Sequence, residues 1–77
     1  MTKETATRVH QLLMTAVKAI DESVAALQAD AAEDELRDYR RAAGRMLHEL
    51  MEELLKPIYR EHEDLIPVEL DRRHLRL

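Results

Sequence analysis

The stretch from Leu36 to Ile58, LRDYRRAAGRMLHELMEELLKPI, constrains the fold more than any other. Its apolar residues fall at Leu36, Tyr39, Ala43, Met46/Leu47, Leu50/Met51, Leu54 and Ile58, in steps of three or four. That is one face of an α-helix, in a series too long for a strand. A helix with such a stripe is stable only when something covers the stripe.

The rest of the chain offers few kinds of cover. Seventy-seven residues allow one domain, 1–77, and a chain this short rarely draws more than about 3–5 kcal/mol from its own core. It has no cysteine, so neither a disulfide nor a thiolate zinc site can brace it. One glycine and two prolines are too few turn residues for a multi-stranded sheet, and the only aromatics are Tyr39 and Tyr59. The chain reads as all-α: an antiparallel helical hairpin with a short C-terminal helical segment.

The first helix is expected over 3–28, roughly 38 Å long at 1.5 Å per residue. Thr2 or Thr5 can cap it, with Glu4 suitably placed in the first turn. Its inward positions are Ala6, Val9/His10, Leu13, Ala16/Val17, Ile20, Val24 and Leu27, several of which fit a heptad. The following QADAAEDE has no breaker, so an unbroken helix is conceivable. Against it, the nine residues from Leu27 to Leu36 turn the stripe through about 900°, onto the opposite side. Asp30-Ala31-Ala32-Glu33 also has the form of a capping box. A turn near Ala29–Asp30 follows, with the second helix over 31–56.

Charge and small residues give the hairpin a register. Folding back near residue 30 brings Asp21 and Glu22 level with Arg37, Arg40 and Arg41, and Lys3 and Arg8 level with Glu52 and Glu53. Ala42-Ala43-Gly44 comes level with Ala16 and Ala19, which would allow close backbone approach. Pro57 predicts a kink or an end near Leu55. Pro67 then opens a segment, 67–75, that can form a last short helix within the proline-punctuated region 57–77. Leu65, Ile66, Val68, Leu70, Leu75 and Leu77 predict that this tail packs on the hairpin or on a second subunit.

Both stripes are wider than a two-position seam, with Leu12 and Met14 flanking one and Leu47, Met51 and Leu55 the other. A wide stripe suits a helix with two neighbours, which predicts a homodimer forming a four-helix bundle. Met14, Met46 and Met51 serve as core filler or as an adaptable surface for a partner helix.

Sites of chemistry are sparse. His10, His48, His62 and His74 show no i,i+3 or i,i+4 spacing, and the Glu-x-x-His pattern of di-iron bundles is missing. In Glu61-His62-Glu63-Asp64, the acids Glu61 and Asp64 share a face that His62 does not. No metal site, cofactor or catalytic residue is expected: there is no phosphate loop, and Ser23, the only serine, sits mid-helix. The one polar feature with binding potential is a basic row, Arg37, Arg41 and Arg45 at four-residue spacing with Arg40 beside it. It pairs with Asp34, Asp38 and Glu49 on its own helix and with Asp21 and Glu22 across the hairpin, or it docks an anionic partner.

A net charge of −4 weakens the nucleic-acid version of that partner, and few aromatics are available for base stacking. No apolar run reaches the ~18 residues of a membrane span, and MTKETATRVHQLL does not read as a secretory signal, so the cytoplasm is the expected compartment. The functional expectation is a small non-catalytic interaction or regulatory protein acting through protein–protein contacts. A nucleic-acid-binding dimer using the arginine row is the alternative, and a metal-dependent or catalytic bundle comes last.

Overall fold

A computed structural model describes residues 1–70 and Leu75. Every regular element among the described residues is helical, with no strand. Helix α1 spans Lys3–Asp30 and α2 spans Glu33–Leu50. A π-helical turn over Met51–Leu55 leads directly into α3, Lys56–Glu61, and a 3₁₀ turn follows at Glu63–Leu65. Helices α1 and α2 pack together as a hairpin. The 28 residues of α1 give about 42 Å of helix, which accounts for the 44 Å long axis of the molecule.

Thr2 is the N-cap of α1, its Oγ1 accepting from the Thr5 N–H at 3.2 Å. The hairpin turn falls at Ala31 and Ala32, both in extended backbone, two residues beyond the expected Ala29–Asp30. The capping box does not form. Asp30 remains the last residue of α1, and the N-cap of α2 is Ala32, which offers no side-chain acceptor. Instead the Ala31 N–H closes α1 on the Leu27 carbonyl at 2.9 Å. Glu33, Asp34 and Glu35 all sit in the first turn of α2, so they favour its positive end without a formal cap.

The break foreseen at Leu55 is a change of hydrogen-bond register and not an end. The Lys56 N–H donates to the Met51 carbonyl, five residues back, and Pro57 follows at the start of α3, where its missing N–H costs least. In an unbroken α-helix Leu55 would lie about 120° around from Ala43. The wider turn rotates less per residue and carries Leu55 and Tyr59 back toward α1. There Leu55, Tyr59 and Leu75 form the buried cluster, packed against Leu13, Met14, Leu50, Met51, Leu65, Ile66 and Leu70.

The C-terminal segment thus packs on its own hairpin through Leu75, while Val68 stands almost fully exposed. Of the helix expected over 67–75, Pro67 to Leu70 form a turn closed by the Leu70 N–H on the Pro67 carbonyl at 3.0 Å, and Leu75 is helical. His74, Leu77 and the rest of that expectation lie outside the described residues.

Gly44 does not serve the close approach read from Ala42-Ala43-Gly44. A Cβ added there would meet nothing within 4 Å. Ala43 is the residue of the three that is buried.

Candidate functional site

The hairpin has two sides, and they differ. In an antiparallel pair, residues displaced in the same rotational sense from the contact line face the same side. On α1, His10 and Met14 lie about 40–80° to one side of Ala6, whereas Val9, Ala16 and Leu12 lie about 60–120° to the other. On α2, Tyr39, Met46 and Ala42 lie about 40–100° from Ala43 in that second sense. The first side is closed by the C-terminal segment: Pro67, Glu69 and Leu70 line a gap of about 290 Å³ with Met14, Val17, Met51, Leu55 and Tyr59. The second side is open.

Two shallow grooves of about 270 Å³ each mark that open face. One is lined by Ile20, Tyr39, Ala42, Ala43 and Met46. The other, at the far end, is lined by Val9, Leu13, Leu54, Pro57 and Ile58 together with Met1, Glu53 and Glu61. Leu12, Tyr39, Met46 and Leu54, on this side by helical phase, are 61%, 40%, 63% and 50% exposed.

Tyr39 is held in place on this face. Ser23 Oγ donates to the Ile20 carbonyl at 2.6 Å, so at its 2.7 Å contact with Tyr39 it is the acceptor and the phenol is the donor. That bond ties α2 to α1 and satisfies the hydroxyl, leaving the ring free for apolar contact. It also gives Ser23 its role: it braces the hairpin.

The closed side carries a part-buried polar contact between α1 and α3. His10 Nε2 and Tyr59 Oη are 2.8 Å apart, and the rings meet edge to face at 5.4 Å. Burial pushes the His10 imidazole below its usual range and the Tyr59 phenol above its own. A neutral imidazole can accept from the phenol through Nε2, while an imidazolium could only donate to it. Unfolded His10 has an ordinary value of about 6.5 and folded His10 a lower one. Above the unfolded value both states are neutral and stability is complete. As pH falls through it, the unfolded chain takes a proton that the folded chain resists, and stability drops until the folded value is passed. The urea midpoint is therefore expected to fall between about pH 8 and pH 5.5, with His10→Gln removing that part of the slope.

Other polar groups are arranged along the surface. Lys56 is nearly buried and donates to Glu52 at 2.7 Å, one helical turn back, a hydrogen bond that holds the Glu52 carboxyl below its usual range. The i,i+4 spacing of Glu52 and Lys56 was the available signal for this pair. The N-terminal ammonium bonds Glu61 at 3.0 Å and lowers its pKa, and His62 contacts Glu61 and the Met1 carbonyl. Lys3 pairs with Asp64, not with Glu52 or Glu53, because the segment after α3 returns past the start of α1. Among the described residues no three His, Asp or Glu side chains converge as metal ligands would. The same holds for helices of membrane-spanning length and apolarity, of which there are none among them.

The arginine row is fully outward. Arg37, Arg40, Arg41 and Arg45 are all exposed. The expected bridges to Asp21 and Glu22 are not formed: among the described residues the row's single ion pair is Arg37 Nε to Asp38 at 3.8 Å. The reason is phase. Arg37, Arg41 and Arg45 lie about 120–200° around α2 from buried Ala43, on the side turned away from α1. No family model matches the chain, and neither a curated protein nor a solved structure matches it.

Proposed function

We propose that this chain is a small non-catalytic interaction or regulatory protein that works through protein–protein contacts as a homodimer. The observation that carries the reading is the open apolar face of the hairpin, from Tyr39 and Met46 at one end to Leu12 and Leu54 at the other. Isolated apolar residues on a surface need no explanation, whereas several exposed ones on one side of two packed helices, beside two shallow apolar grooves, support a place of contact. Sedimentation equilibrium from low micromolar concentration upward is expected to give twice the 9.0 kDa chain mass. A mass of one chain across that range would overturn the reading.

A second reading, a nucleic-acid-binding dimer, draws on one observation: Arg40, Arg41 and Arg45 have no ion-pair partner among the described residues. Binding of that kind weakens with added salt and with Arg41→Glu. Absence of binding at low salt would remove it.

A further inference from the structure

We infer that the open face is the seat of a second copy of this chain, stacked hairpin against hairpin, with the two C-terminal segments on the outside of the resulting four-helix bundle. The inference rests on the homodimer reading and assigns its surface.

Three observations select a twin over some other occupant. The first is area. The chain exposes 5855 Å², against about 4,900 Å² expected for a folded monomer of 9.0 kDa. Its radius of gyration is 14.5 Å, against about 11.5 Å for a compact chain of this length. The excess, about 1,000 Å² per chain, is what each partner would hide in a specific dimer interface totalling about 2,000 Å². A single docked peptide would leave much of it exposed.

The second is the layout of the face. Its centre, with Ala16, Ile20, Ala42 and Met46, carries no charge, so two copies can meet there without burying a like-charged pair. Small residues on both helices allow close approach. The third is the rim, which carries both signs. Arg8 lies at the α1 edge and Asp38, Arg45 and Glu49 at the α2 edge. Arg8, Arg45 and Glu49 form no ion pair among the described residues. A rim of mixed sign is self-complementary under a two-fold axis, as an isologous interface requires.

The test combines mass with a footprint on the unaltered chain. Met46→Glu and Leu12→Glu are expected to weaken the dimer by about a hundredfold or more, giving one-chain mass at concentrations where the parent is dimeric. Val68→Glu, on the segment that closes the opposite side, is expected to remain dimeric. In the parent, peroxide oxidation of Met46 is expected to be slower than that of free N-acetylmethioninamide, increasingly so as protein concentration rises. The footprint decides the matter should either Glu variant lose its helical circular dichroism. A parent that sediments as one chain overturns the homodimer reading and this inference together. A dimeric parent in which Met46 oxidises at the free rate, or in which Met46→Glu stays dimeric while Val68→Glu does not, overturns the assignment of the face and leaves the homodimer standing.

Discussion

Leu55→Ala is expected to lower the unfolding free energy by about 2–5 kcal/mol, read as a shift in the urea midpoint at unchanged slope. Leu55 is 2% exposed and packs with Tyr59 and Leu75, the only buried cluster among the described residues. A chain of this length has about 4–12 kcal/mol in total, so a single truncation removes a large share. Its neighbour is the control. Leu54, half exposed on the open face, loses little burial within one chain when cut to Ala, so Leu54→Ala is expected to keep the hairpin folded. Equal losses for the two would contradict the packing given to the π-turn, because only that turn distinguishes which of the adjacent leucines points inward.

Gly44→Ala runs the other way and is expected to stabilise. Gly44 lies inside α2, and a Cβ there meets nothing within 4 Å, so Ala adds helix propensity without a clash. Glycine in a helix interior costs about 0.5–1 kcal/mol relative to alanine, largely through the freedom of the unfolded chain. For a domain of this size each kcal/mol moves the melting temperature by about 4–8 °C, so a rise of several degrees is expected in a thermal scan. A fall would contradict the open space that surrounds Gly44 in the hairpin.

The His10–Tyr59 pair ties these effects to pH. Tyr59 fills the same cluster as Leu55, and its hydroxyl meets the imidazole on α1. Protonating His10 therefore loosens the contact that joins α3 to α1 at the end of the hairpin remote from the turn.

The local chemistry of the sequence determined the helices and their direction. Apolar steps of three and four define α1 and α2, the reversal of phase between Leu27 and Leu36 defines the hairpin, and the threonines at 2 and 5 offer a cap for α1, a choice the structure resolves as Thr2. Pro57 marked the place where the second helix changes. Patterns of one residue against its near neighbours are enough for all of this.

Tertiary structure decided the rest. Whether the helix at Pro57 stops or widens depends on which arrangement returns Leu55 and Tyr59 to α1, and only packing selects it. Asp30 forgoes its cap because extending α1 to Asp30 moves the turn to the two alanines. His10 and Tyr59 meet across 49 residues, a contact with no local signature. The arginine row kept its spacing and one foreseen partner, Asp38, but not the ones across the hairpin, Asp21 and Glu22, since charge level along a hairpin says nothing about which way a side chain faces. The width of the stripe from Leu36 to Ile58 predicted cover on two sides, and the single chain covers one of them.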